Sequence, residues 1–145
     1  MIPFLNLKLI NDRYSDELTE AAAKVIKSGW YIRGPEVESF EHNFAEFCGV
    51  KHCIGVGNGL DALTLVLRAY IELGLVKVGD EVIVPANTYI ASILAITQSG
   101  LVPRLVDCDP KTLNIDTSKI EAAISPKTSV ILPVHLYGRI CDMNQ

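Results

Sequence analysis

Apolar residues recur along this chain with two different periods, and the change falls near residue 50. Before it, Leu18, Ala22, Val25 and Ile26 recur at helical spacing, and so do Val37, Phe40, Phe44 and Phe47. Each set therefore forms one stripe of a helix. Ser15 suits the N-cap of the first helix, Asp16 and Glu17 suit its positive end, and Gly29 is its stop. Pro35 suits the first position of the second helix, which Gly49 closes. A one-sided phenylalanine stripe reads as core packing rather than as a cofactor contact.

From Cys53 onward, short β-branched runs alternate with helical ones. The run "CIGVG" precedes a helix over Leu60 to Leu73 ended by Gly74, and "EVIVP" precedes one over Tyr89 to Gln98 ended by Gly100. Next come "VPRLVD", a helix capped by Thr117 and reaching Ile124, and "SVILPV". Four apolar strands joined by helices predict an α/β fold, a mostly parallel sheet with helices on both faces. No repeat or long linker interrupts the pattern. The chain stops at "HLYGRICDMNQ", where another crossover helix is expected, so the strand order is cut mid-pattern. That predicts the amino-terminal part of something longer.

Composition narrows the function classes. Of 145 residues, 49% are hydrophobic and 21% charged, as in a folded domain. Lys plus Arg number 13 against 17 for Asp plus Glu, a net charge of -4, and no basic cluster is interleaved with aromatics. Nucleic acid is therefore not an expected partner. The start "MIPFLNLKLINDRY" lacks a basic leader, and no apolar run approaches the roughly 20 residues that span a bilayer, so no membrane is expected and the predicted location is the cytoplasm. Cys48, Cys53, Cys108 and Cys141 form no C-x-x-C pair. They read as buried reduced thiols. A zinc cluster of Cys48, Cys53, His42 and His52 is the weaker reading, because its ligands lack paired spacing, and no metal is expected.

The stretch "IGVGNGLDAL" carries Gly55, Gly57 and Gly59 between a strand-like run and a helix. In open α/β sheets ligands gather outside the carboxyl ends of strands. A helix starting near Leu60 offers unpaired backbone N–H groups there, so Gly59, Leu60 and Asp61 could hold a phosphate without a basic side chain. The spacing excludes a dinucleotide fingerprint, which needs glycine or alanine where Leu60 stands, and a Walker loop, which needs Gly-Lys-Ser/Thr. The alternative is a tight turn with no ligand. Asn87, Thr88 and Tyr89 follow the second strand and His135 and Tyr137 the fourth, on the same predicted edge. Taken singly, Tyr89 reads as a packing residue and His135 as a structural one; their convergence on one edge favours a site.

The motifs "SGWYIRGPEVESFE", "GVGNGLDALTL", "GDEVIVPANTYIAS", "VDCDPKTLNID" and "PVHLYG" together resemble the DegT-type sugar aminotransferases, over the whole chain. That resemblance implies the aspartate-aminotransferase-like fold, pyridoxal 5'-phosphate fold type I. It implies residues 1–50 as amino-terminal helices with an active-site loop, and 51–145 as the first part of the cofactor-binding domain. Backbone groups of Leu60 and Asp61, beside Gly59, would hold the cofactor phosphate, and Tyr89 would stack on the ring. Trp30, Tyr31 and Arg33, with His135 and Tyr137, would lie on the substrate side. The start "IPFLNLK" and the "NGLDALTL" variant are most similar to members that aminate C3 of nucleotide-linked 3-keto-6-deoxyhexoses, such as a dTDP-linked one, with glutamate as donor in a homodimer.

The family's Schiff-base lysine and pyridinium-pairing aspartate are expected beyond Gln145. Lys24 and Lys27 fall on the first helix, Lys77, Lys111 and Lys119 in connections or on a helix, and Lys127 before the fourth strand, at the wrong edge. No catalytic residue is therefore assigned within the chain, which by itself is expected to be inactive. Two other readings are a non-catalytic phosphate or nucleotide-sugar binding module and a related sugar dehydratase with histidine in place of the lysine.

Overall fold

The computed structural model describes residues 3–145, so Ile2 of the "IPFLNLK" run lies outside the described residues. The chain forms two compact units, one ending at Gly55 and one from Val56 to Gln145.

The first unit is helical. A short α1 (Leu7–Asn11), which periodicity does not reveal, starts where Asn6 Oδ1 accepts the Leu9 N–H at 3.1 Å. A single 3-10 turn (Asp12–Tyr14) leads into α2 (Ser15–Ser28), which ends at left-handed Gly29. Ser15 is not the cap: the preceding turn has already set the helical path, and the Ser15 carbonyl accepts the Thr19 hydroxyl. Helix α3 (Pro35–Cys48) begins at proline and ends at left-handed Gly49, both as the sequence predicts. Lys24 Nζ meets Glu36 Oε1 at 2.6 Å, linking α2 to α3.

The stripes on these helices are left largely uncovered by the other described residues. Leu18, Ile26, Phe40, Phe44 and Phe47 are exposed, with Phe40 and Phe44 stacked on each other at 5.4 Å between ring centroids. Periodicity specifies that a helix face is apolar, but not that an element covering it lies within the same stretch of chain.

The second unit is an α/β layer structure. Helix α4 (Gly59–Glu72) precedes β1 (Glu81–Pro85), then α5 (Ile90–Gln98), β2 (Val102–Val106), α6 (Ile120–Ala123) and β3 (Thr128–Ile131). The sheet is parallel, ordered β2-β1-β3, with Val82 beside both Pro103 and Val130. Strand β1 is central, and its alternation splits the core in two. Val82 and Val84 join Leu67, Ala95 and Ile96 under α4 and α5. Ile83 joins Val106, Ile115 and Cys141 on the other face, with Ile120 and Ala123 of the α6 turn against them. Both faces are covered, as the continuous apolar run "EVIVP" requires.

Three expectations are corrected. "CIGVG" is no strand: Ile54 is 80% exposed, and the Gly55 N–H bonds to the Glu41 carboxylate at 2.6 Å. A glycine-rich segment joins a sheet only where a neighbouring strand takes its ladder bonds, and among the described residues none does. The helix near Thr117 is a 3-10 turn (Thr117–Lys119) running into α6, and its cap is Asp116, whose carboxylate takes the Ser118 N–H and hydroxyl at 3.1 and 2.6 Å. Of the four cysteines, all unpaired, only Cys141 is buried, and Cys48 is exposed because it ends α3 beside its C-cap.

Candidate functional site

The start of α4 is built by Asn58. Its backbone is extended, its Oδ1 accepts the Asp61 N–H at 3.0 Å, and its Nδ2 donates to Asp61 Oδ2 at 2.9 Å. A Cβ on Gly57 would stand 2.9 Å from that same carboxylate oxygen, so the glycine leaves the pair its room. Of the three amides suggested by the sequence, Asp61's is thus committed to the cap. Those of Gly59 and Leu60 find no acceptor among the described residues and lie at the positive end of a fourteen-residue helix.

Hydrogen bonds at the far end of α4 fix where this start lies. Leu75 and Val76 N–H both return to the Tyr70 carbonyl, and Gly79 N–H reaches the Gly100 carbonyl at 2.9 Å, by the amino ends of β1 and β2. The step from Val76 to Gly79 spans about 10 Å at most, so α4 ends at the amino edge. Leu60, Leu63 and Ile71 all pack on the cluster containing Val82 and Val84. The helix therefore lies along that face and begins about 20 Å away, at the carboxyl edge.

Tyr89 stands at the same edge and on the same face. It is the N-cap residue of α5, four positions past the end of β1, and is 77% exposed. Thr88 Oγ1 and Ser92 Oγ bond at 2.8 Å across this start, and Asn87 Nδ2 donates to the Leu113 carbonyl at 3.3 Å.

His135 and Tyr137 follow β3 at that edge but turn toward the other face. The Cys141 N–H donates to His135 Nδ1 at 3.1 Å, which makes His135 an anchor for the segment, and Cys141 belongs to the second core cluster. Tyr137 is 97% exposed and left-handed, with φ 51°. Asn114, which sequence reasoning did not single out, is 4% exposed and bonds to both Leu136 and Arg139 around it. Supporting it, the N–H groups of Thr112 and Lys111 hold the Asp109 carboxyl below the usual carboxylate range.

Trp30, Tyr31 and Arg33 belong to the first unit, in the loop between α2 and α3. Trp30 Nε1 donates to the Ile32 carbonyl at 2.8 Å and the Tyr31 hydroxyl to the Ile26 carbonyl at 3.2 Å, while Arg33 is left-handed at φ 50°. The loop holds its own shape with both rings exposed.

The model of the DegT/DnrJ/EryC1/StrS aminotransferase family matches residues 12–145. The chain belongs to this family. A dTDP-3-amino-3,6-dideoxy-alpha-D-galactopyranose transaminase of Aneurinibacillus thermoaerophilus is 59% identical over 99% of the chain and 38% of its own length. The crystal structure of S. venezuelae DesV in complex with a ketimine intermediate superposes with a TM-score of 0.89 at 45% identity, over 99% of the chain and 38% of DesV. The E. coli GDP-4-keto-6-deoxy-D-mannose-3-dehydratase with bound hydrated pyridoxal phosphate gives 0.77 at 34% identity, over 83% of the chain and 31% of that enzyme. The chain thus spans under two fifths of these relatives. Its structural neighbours are fold type I pyridoxal-phosphate enzymes, the fold the sequence motifs imply. Among the described residues no helix is long and apolar enough to cross a membrane.

Proposed function

We propose that this chain supplies the phosphate cradle and ring support of an aminotransferase that moves an amino group from glutamate to a nucleotide-linked keto-deoxysugar, a dTDP-3-keto-6-deoxyhexose. The observation that carries the reading is the pair of unengaged amides at Gly59 and Leu60, at the carboxyl edge and on the same sheet face as the exposed Tyr89 ring.

These residues fit pyridoxal 5'-phosphate. Two N–H donors at a helix start suit a phosphate dianion, and no substitution is needed to make room, since a Cβ on Gly59 would meet nothing within 4 Å. Asp61 contributes through the cap rather than through its amide, by holding Asn58 against the first turn. Tyr89 would lie against the cofactor ring and keep water from it. When bound, the cofactor supplies an electron sink for negative charge on the carbon that carries the transferred nitrogen. Trp30, Tyr31 and Arg33 are assigned to substrate binding, and so is Tyr137, whose turn His135 anchors.

The residue that moves the proton is assigned outside 1–145. Lys77 and Lys127 sit at the amino edge, where the Lys127 carbonyl takes the Glu81 N–H, and Lys24 is engaged by Glu36. Residues 1–145 alone are therefore proposed to be inactive, and the working enzyme to be a cytoplasmic homodimer.

The test is to incubate the full-length protein with pyridoxal phosphate, glutamate and the dTDP-linked 3-keto-6-deoxyhexose. Equal amounts of amino sugar and 2-oxoglutarate are expected. A sugar that loses a hydroxyl group instead would favour the dehydratase reading, and binding without turnover a non-catalytic module.

A further inference from the structure

Residues Leu136 to Arg139 form a tight turn that is unusual in its choice of side chain. Its two central residues, Tyr137 and Gly138, both have positive φ, 51° and 79°, and the Arg139 N–H returns to the Leu136 carbonyl at 3.0 Å. This is the sign pattern of a type I′ turn, in which Asn, Asp or Gly normally takes the first central place because a larger side chain crowds the backbone there. Tyrosine occupies it, and the residue is 97% exposed, so no contact with the other described residues compensates for the backbone conformation. A disfavoured conformation persists only where its surroundings over-determine it.

Asn114 provides that constraint. Its Oδ1 shares the Leu136 N–H with the Val134 carbonyl, at 3.3 and 3.0 Å, and its Nδ2 donates to the Arg139 carbonyl at 2.9 Å, so one buried carboxamide touches both ends of the turn. Arg139 adds a bond from Nη1 to the Lys111 carbonyl at 3.2 Å. Asn114 is itself fixed: its N–H goes to Thr112 Oγ1 and its carbonyl accepts the Asp109 N–H at 3.0 Å. The neighbouring Leu113, also left-handed at φ 63°, gives its carbonyl to Asn87 in the loop that carries Tyr89. The segments following β1, β2 and β3 are thereby tied together at the carboxyl edge through residues 113 and 114.

We infer that Asn114 is a positioning residue, which holds the Leu136–Arg139 turn so that Tyr137 is presented to the keto-sugar substrate. The inference rests on the aminotransferase reading and deepens it. Asn114 touches no ligand, and its effect passes through the turn.

The test is a double-mutant cycle in the full-length protein, with Tyr137→Asn, Asn114→Ala and the two combined, reading kcat and KM for the keto sugar and the thermal midpoint. Tyr137→Asn puts a residue suited to the left-handed position in place, so the midpoint should rise by a few degrees while KM for the sugar rises about tenfold. Asn114→Ala should raise the same KM about as much, with a smaller change in kcat and none in KM for glutamate, and the double variant should be no worse than either single one. Asn114→Asp, which keeps the acceptor for Leu136 but loses the donor to Arg139, should fall between. If Asn114→Ala does not fold, Tyr137→Asn and Asn114→Asp still decide the matter. Unchanged KM in Tyr137→Asn, or KM effects that multiply in the double variant, would overturn the positioning role while leaving the aminotransferase reading intact. A wild-type protein that transfers no amino group would overturn both.

Discussion

Asn58 and Asp61 satisfy each other across the first turn of α4, carboxamide oxygen to amide N–H at 3.0 Å and carboxamide nitrogen to carboxylate at 2.9 Å. The pairing caps the helix and decides which amides remain free beside it. Replacing Asn58 with alanine should destabilise the protein by about 1 kcal/mol, the usual cost of a lost N-cap. Urea unfolding checks this, and an unchanged midpoint at equal slope would show that the pair is not holding the helix start.

Tyr89 should matter for binding and not for folding. The residue is 77% exposed, so Tyr89→Ala should change stability by no more than about 0.5 kcal/mol. Loss of ring stacking should weaken pyridoxal phosphate binding about tenfold. Tyr89→Phe should retain the affinity, and spectrophotometric titration of the apo protein distinguishes the two variants.

The fold was legible where a sequence feature has a purely local cause. "EVIVP" reads as a strand because it is apolar on both faces, and the structure buries Val82, Ile83 and Val84 completely. Gly29, Pro35 and Gly49 mark helix ends because their own backbone preferences set the ends. Features that depend on distant partners were not legible. Whether "CIGVG" is a strand depends on a neighbour to pair with, and whether Phe40 and Phe47 are core depends on an element to cover them. Within the site, the glycine run announced a helix start. Which of its amides are free depended on the Asn58 side chain, and the importance of Asn114 depends on bonds to residues 22 and 25 positions away.

The central strand contributes to both core clusters of the second unit. Ile83 is fully buried between Val106 and Ile115. Ile83→Val should cost about 0.5 to 1.5 kcal/mol and Ile83→Ala about 2 to 5 kcal/mol. Equal losses in the two variants, measured by chemical denaturation, would contradict the packing described.

Three surface carboxyls should respond to acid together. Asp80 is held below the usual range by the Ser129 hydroxyl and the Lys77 N–H, Asp109 by the Thr112 and Lys111 N–H groups, and Asp116 by the Ser118 hydroxyl. A depressed folded pKa contributes stability above the unfolded value, near 4, and loses it as pH falls through the folded value. Stability should therefore decline below about pH 4, and carboxyl NMR titration should find all three groups ionised below their neighbours' midpoints. Midpoints at or above the ordinary aspartate value would contradict these hydrogen bonds.

The central claim is that the amides at the start of α4 hold the cofactor phosphate, and Gly59→Pro tests it most directly. Gly59 is the first helical residue, where proline is favoured, Asn58 before it is extended as a following proline requires, and a Cβ on Gly59 would meet nothing within 4 Å. The substitution therefore removes one N–H donor and puts the ring Cδ where that hydrogen pointed. Measured on the full-length apo protein, the thermal midpoint should be unchanged or higher, while the Kd for pyridoxal phosphate rises about tenfold, the effect of losing one charge-assisted hydrogen bond. An unchanged Kd in a protein of unchanged midpoint would show that the phosphate is held elsewhere and would contradict the account.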